Sequence, residues 1–290
     1  MTIKIKLFLL SVVVGQHLTI GADAAPVKQK PCPQIVEEYS AFEEKRSETF
    51  LRRLQSFIFP SYTLERKSDM PVLYEMVDDL TTKIDLTMPR TYIYEGNFLS
   101  RLPYWGHDPF QCNAFVDVSG ALTIGSDLIK SCSAQELKAI IGHELGHIDK
   151  KHVLKRIAAV GVFLPATICA ALAVFGVSSA AFGDNSLVTN IAAALLAQEI
   201  MFHNGFKACM MALSRTHEFE ADLVSYRATG DSVSLVSALE KIHEIIKRKH
   251  PFLYYIGKIQ YGLFPFLRSH PTTEQRALRL KRAAQEATVQ

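Results

Sequence analysis

Apolar positions recur at helical spacing over residues 34–58, where Ile35, Tyr39, Phe42, Phe50, Leu54 and Ile58 stand among many charges. That spacing predicts an amphipathic surface helix. Met70 to Leu86 carries a second helical pattern, and Thr91 to Tyr94 is short and β-prone. Asn113 to Val118 and Ala121 to Ile124 flank Ser119-Gly120 as the arms of a hairpin. Ser133 followed by Glu136 is a capping box placed just before Leu137, Ile140, Ile141, Leu145 and Ile148. A helix therefore starts near Ser133 and is expected to run to about Arg156. From Ile157 to Gly183 about 27 residues carry no formal charge, long enough to span a bilayer. A second apolar stretch, Leu187 to Phe206, is interrupted by Gln198, Glu199 and His203. Helix resumes over Leu213 to Ala228 and stops at Gly230, a C-cap signal. Another helix follows Asp231-Ser232, with Leu235, Leu239, Ile242 and Ile246 along one face. An aromatic-rich loop from Pro251 to Phe266 leads to Ser269-His270-Pro271 and a final polar helix. The pattern as a whole is that of an α+β protein, mostly helical, with a small β-sheet and no internal repeat.

Composition narrows the class. At 290 residues the chain can form one large domain or two small ones, and 48% apolar against 21% charged residues argues against disorder. A net charge of +3 with no long run of like charge gives no reason to expect a nucleic-acid partner. Lys4 and Lys6, the apolar run Leu7 to Val14, and Ala22-Asp23-Ala24 have the form of a secretory signal peptide over residues 1–24, leaving a domain over 25–290. The alternative is an uncleaved anchor, extended by Leu18 to Ile20. The 5 cysteines (Cys32, Cys112, Cys132, Cys169, Cys209) match no zinc or disulfide framework. Cys112 and Cys132 can pair in an oxidising compartment, or all can be free thiols.

The chemistry is carried by His143-Glu144-Leu145-Gly146-His147, an H-E-x-x-H pattern in the middle of the capped helix. Residues four apart project from one face, so both imidazoles can reach a single ion about 2.0–2.1 Å away. Glu144, offset around the helix, is free to act as general base on water whose pKa zinc lowers to about 7. A catalytic zinc site needs a third protein ligand and an open position. The extended pattern ending in glycine and histidine is excluded, because Lys150 and Val153 occupy those places. His152 is one residue out of register and reads as a surface or second-layer histidine. The other source is a glutamate from a second helix, and His217-Glu218-Phe219-Glu220-Ala221-Asp222 is the best segment for it. Glu218 and Asp222 share a face, so the first can bind metal while the second accepts a hydrogen bond from a ligating histidine. His217 and Glu220 are the alternatives.

The H-E-L-G-H helix, the segment Ser214-Arg215-Thr216-His217-Glu218-Phe219-Glu220-Ala221-Asp222 and the late Ser269-His270-Pro271 together resemble the HtpX-like and CAAX-prenyl-protease-type zinc metallopeptidases. Exported and mitochondrial Oma-type relatives belong to the same group. The resemblance runs from about Met70 to Arg282 and also takes in Asn113-Ala114-Phe115, similar to the family's strand before the zinc helix. It implies a zincin-like core with a small sheet whose edge strand precedes that helix. It also implies one Zn2+ per chain on His143, His147 and Glu218, catalysis by Glu144, a supporting bond from Asp222, and His270 near the metal. The edge strand, with Asn113, Ala114 and Phe115, would take an extended substrate.

The resemblance implies hydrolysis of peptide bonds in unfolded or membrane-associated proteins. A zinc-binding chaperone or assembly factor on the same fold, with little turnover, is the competing class. The multi-spanning prenyl proteases have many membrane helices and this chain has at most two after residue 24, which argues against prenylated substrates. Ile157 to Gly183 reads as a membrane helix, paired with Leu187 to Phe206, or as a buried core helix. Export would place the chain in a periplasm or cell envelope, membrane-associated. Lys150, Lys151, Lys155 and Arg156 at the mouth of the apolar segment then lie outside, against the positive-inside rule. An uncleaved anchor in a mitochondrial or other inner membrane is the alternative.

Overall fold

The computed structural model describes residues 30–47, 61–63, 68–95, 109–182, 187–199, 205–249, 251, 254–255, 258 and 268–289. Helix α1 (Pro33–Ser47) buries Ile35, Tyr39 and Phe42 on one face, following the apolar spacing. Its expected continuation to residue 58, residues 1–24 and most of the aromatic loop lie outside the described residues. The elements that follow are β1 (Ser61–Thr63), α2 (Pro71–Lys83), β2 (Thr91–Tyr94), β3 (Ala114–Val116), β4 (Leu122–Gly125) and α3 (Ser126–Ser131). After them come α4 (Ala134–Asp149), α5 (His152–Phe182), α6 (Leu187–Glu199), α7 (Lys207–Thr229), α8 (Val233–Lys249) and α9 (Thr273–Val289).

The strands form a four-stranded sheet in the order β1-β2-β4-β3. β2 and β4 run parallel, with Thr91 opposite Leu122, and β4 is buried along its whole length, as parallel strands usually are. β3 and β4 form the expected hairpin. Asp117 Oδ1 accepts hydrogen bonds from the amides of Ser119 (2.8 Å) and Ala121 (3.0 Å), and Gly120 takes a φ of +80° that a side chain would resist. The amide of Gly125 donates to Asn113 (2.8 Å) and that of Asp117 to Ala121 (3.0 Å), which sets the alternation of the ladder. The backbone groups of Ala114 and Val116 consequently turn away from β4, toward the edge of the sheet.

Ile93, Leu122 and Ile124 of the sheet share one core with Leu73, Val77 and Leu80 of α2 and Leu137, Ile141 and Leu145 of α4. Full burial of each such side chain contributes about 1.5–3 kcal/mol, so α4 is fixed to the sheet mainly by this face. The capping box sets where α4 starts: Ser133 Oγ accepts from the Glu136 amide (3.2 Å), and Glu136 accepts from the Ser133 amide (2.7 Å). Glu136 is fully buried, and its carboxylate also takes Ser237 (2.7 Å) and Lys241 (2.5 Å), tying α8 to the same helix end.

The expected helix to Arg156 is in fact two helices. Lys151 adopts a left-handed φ of +54°, its amide bonds back to Ile148, and α5 begins afresh at His152. Periodicity did not register this break because the apolar spacing continues across it. The Cys112–Cys132 pairing is also not formed; the two residues are buried in different clusters, Cys112 with Ile245 and Ile246, Cys132 with α2 and α4.

At 31 residues α5 is about 46 Å long. Among the described residues it is the one helix long and apolar enough to cross a membrane, over His152–Ala180. Only 11% of its most apolar window is buried, and Leu154, Ile157, Val162 and Leu172 stand exposed, so it is not a core helix. α6 packs along it, and Ile168, Ala171 and Leu172 of α5 line a pocket with Ile191, Ala194 and Leu195 of α6.

Candidate metal centre

Two helices build the site, and their separation is set by residues without side-chain bulk. Where α4 meets α7, a Cβ placed on Gly146 would lie 2.9 Å from Ala221 Cα and 3.0 Å from both Ala221 O and Val224 Cβ. One turn earlier, a Cβ on Gly142 would lie 3.2 Å from Ser225 Oγ, and that hydroxyl donates to Ala139 O at 2.7 Å. Backbone therefore packs on backbone. His143 and His147 stand one turn apart on α4, and Glu218 faces them from α7, all three buried.

Their donor atoms converge. Nε2 of His143 and Nε2 of His147 are 3.1 Å apart, and the Glu218 carboxylate oxygens lie 3.3 Å from the first and 3.5 Å from the second. The two contacts fall on different oxygens, Oε2 for His143 and Oε1 for His147, and one ligand atom from each residue brings all three within 4.8 Å of one another, close enough to surround one small cation. Two imidazole lone pairs also repel at such a distance unless a proton or cation lies between them. The group can hold a metal ion.

The surroundings fix this arrangement. His143 Nδ1 donates to Asp222 Oδ1 at 2.9 Å, which leaves Nε2 free to bind. Arg276, on α9 and 3% exposed, holds Asp222 with Nε at 2.8 Å and Nη2 at 2.5 Å, and its Nη1 lies 3.4 Å from Glu218. His270 Nδ1 reaches Glu218 at 2.9 Å, and the loop that carries it is tied to α7 by Arg215 donating to Arg268 O. Burial would raise the Glu218 carboxyl, but the charge and hydrogen bond of His270, with the adjacent His143 ring, outweigh it and hold the group well below the usual carboxylate range. For Glu144 burial dominates and pushes the carboxyl up to about 7. A carboxyl so placed can take and return a proton near neutral pH.

Glu144, the donor set and His270 line one cleft. Asn113 and β3 form one wall, and Ile140, Leu235, Leu239, Ile242 and Ile246 form an apolar one. From the aromatic loop, Tyr254 also lines the cleft and bonds His243 (3.1 Å), while Tyr255 is exposed; Phe252 and Tyr261 lie outside the described residues.

All the site residues named from sequence (His143, Glu144, His147, Glu218, Asp222, His270, Asn113, Ala114 and Phe115) thus meet at or beside this cleft. The alternatives do not. Glu220 turns to His152 (2.9 Å) and Lys155 (3.3 Å), and His217 stacks on His152 with ring centroids 4.0 Å apart. His152 is not a surface residue; it is 1% exposed, a consequence of the turn at Lys151. Sequence reasoning missed Arg276. One signal was present: Arg276 and the buried Leu280 lie four apart, on one face of an otherwise polar helix.

Residues 73–284 match the model of Peptidase family M48. The chain is 29% identical over 229 residues to "Protease HtpX homolog" of Burkholderia mallei (strain SAVP1), covering 72% of this chain and 73% of the relative. The same figures hold for "Protease HtpX homolog" of Burkholderia pseudomallei (strain K96243). The crystal structure of S. mikatae Ste24p aligns with a TM-score of 0.53 at 16% identity, over 96% of this chain and 65% of that one. The chain thus spans just under two thirds of that structure, and the likeness establishes the mostly helical, zincin-like fold.

Proposed function

The chain belongs to Peptidase family M48, and from that premise we propose that it is a zinc-dependent metalloendopeptidase acting on extended segments of unfolded or membrane-associated proteins. The observation that carries the proposal is the spacing of the three donor groups, 3.1, 3.3 and 3.5 Å apart, with a proton-accepting carboxylate beside them. His143, His147 and Glu218 would hold the ion. When bound, zinc supplies Lewis-acid chemistry, polarising a peptide carbonyl and making water nucleophilic near pH 7.

The chain's own groups do the rest. Glu144 accepts the proton of the attacking water and returns it to the leaving amine, a double role favoured by its raised pKa. His270, when protonated, donates Nδ1–H to Glu218, while Nε2, which has no partner among the described residues, can donate to the carbonyl oxygen as it gains charge. Arg276 keeps Asp222 ionised, and Asp222 in turn orients His143.

Substrate is held by adding to the edge of the sheet. Ala114 and Val116 direct their backbone groups outward beside the donor set, so an extended peptide can pair with β3 and lie across the cleft. Folded proteins cannot offer such a segment. The wall of Ile140, Leu235, Leu239, Ile242 and Ile246 favours a bulky apolar side chain at one subsite. α5 and α6 form a membrane-inserted hairpin, supported by the length and exposure of α5, and the cleft sits at its base because His152 opens α5. Residues 1–24 act as a signal peptide that directs the chain to a cell envelope.

Replacing Glu144 by Gln tests the mechanism. Peptide turnover should vanish while stoichiometric zinc is retained, since Glu144 is a base and not a ligand. Full residual activity would overturn the reading.

A further inference from the structure

A histidine that binds an ion through Nε2 carries its proton on Nδ1, and in a dry site that proton needs an acceptor. For His143 the acceptor is Asp222. For His147 it is not a carboxylate: its Nδ1 lies 2.8 Å from Nδ1 of His152. Two ring nitrogens at that distance share one proton. If His147 donates it, His152 accepts with its Nδ1 lone pair, and its own proton sits on Nε2. That nitrogen faces Glu220 Oε2 at 2.9 Å, and Lys155 approaches the same oxygen at 3.3 Å. Every N–H along His147, His152 and Glu220 then has an acceptor, and only this assignment leaves His147 Nε2 free. Packing fixes the ring plane as well, because His152 stacks on the buried ring of His217 at an interplanar angle of 10°.

We propose that His152 is a positioning residue of the metal centre: it accepts the Nδ1 proton of His147 and relays to that ligand the support of the Glu220 carboxylate. The proposal rests on the reading of His143, His147 and Glu218 as the metal ligands. The two histidines are thus supported differently, His143 directly by a carboxylate and His147 by one set behind a second imidazole. His152 is also the first residue of α5, held against α4 by the left-handed turn at Lys151. One hydrogen bond therefore joins a metal ligand to the membrane-length helix, and a shift of the start of α5 relative to α4 breaks it.

The test is the zinc affinity of the full chain in detergent, measured by competition with a chromophoric chelator, together with the visible spectrum of the cobalt(II)-substituted protein. His152→Leu should weaken zinc binding on the order of 10–100-fold and alter the cobalt spectrum. His152→Gln, whose carbonyl can accept from His147 Nδ1–H, should restore most of the affinity. Glu220→Ala should keep stoichiometric zinc with a smaller loss of affinity and a smaller spectral change. A folded His152→Leu protein that matches wild type in both measurements, or Leu and Gln variants that behave alike, would overturn the proposal. Should the Leu variant fail to fold, Glu220→Ala decides, and wild-type affinity with an unchanged cobalt spectrum there also overturns it. A wild-type chain that binds no zinc would overturn the metal-site reading itself, and this proposal with it.

Discussion

Gly146→Ala should damage the metal centre out of proportion to the single methyl group it adds. The new Cβ would sit 2.9 Å from Ala221 Cα and 3.0 Å from Ala221 O, and neither backbone atom can rotate away. Relief requires α7 to move from α4 by several tenths of an ångström. Overpacking of this kind costs about 1–3 kcal/mol. Alanine gains back about 1 kcal/mol over glycine inside a helix. The net loss of stability is then on the order of 0–2 kcal/mol, within what a domain tolerates. The metal site is less tolerant, because Glu218 and Asp222 move with α7 while His143 and His147 stay with α4. Zinc affinity should fall at least as far as for loss of a supporting bond, on the order of 10–100-fold. Denaturant unfolding and a zinc competition titration read the two effects separately. Gly161→Ala is the control, since nothing lies within 4 Å of its Cβ position. Wild-type zinc affinity in a folded Gly146→Ala protein would refute the claim that this contact sets the ligand spacing.

Other outcomes follow from the same geometry. Glu218→Ala should lose zinc while Glu220→Ala retains it, as metal analysis of both proteins would show; the reverse result would move the third ligand to Glu220. Asp222→Asn should be milder, on the order of 10–100-fold in zinc affinity or turnover, because the amide oxygen still accepts from His143. Arg276→Met leaves Asp222 buried without its counter-charge and should cost about 3–5 kcal/mol by denaturant unfolding. Val116→Pro removes an outward-facing amide from β3 without touching the ladder to β4, so it should cut peptide turnover with zinc content intact; undiminished cleavage would rule out strand addition there.

Much of this architecture was legible in the sequence, for local reasons. The capping box at Ser133 and Glu136, the hairpin turn at Ser119-Gly120 and the C-cap at Gly230 are short-range chemistry, and each stands where its residues call for it. The pairing of Glu218 with His143 and His147 was readable because four-residue spacing puts groups on one face. What sequence did not give were contacts that depend on how helices cross. The turn at Lys151 is a left-handed lysine with no glycine or proline to announce it, and it carries His152 into the site. Glu220, an alternative third ligand by sequence, instead meets His152, a partner that only the crossing of α5 and α7 supplies. Arg276 lies in a polar helix where its spacing to Leu280 is a weak signal, and only the meeting of α7 and α9 makes it a partner of Asp222. β1 went unread because three residues carry too little pattern.

The central claim is that the His143, His147 and Glu218 group holds a catalytic zinc ion. It is tested most directly by measuring zinc per chain in the purified full-length protein beside its cleavage of unfolded casein, before and after chelation and zinc readdition. One zinc per chain, with cleavage lost on chelation and recovered on readdition, is the predicted result. Cleavage that persists in fully chelated protein, or a cleaving protein that holds no zinc, would contradict it.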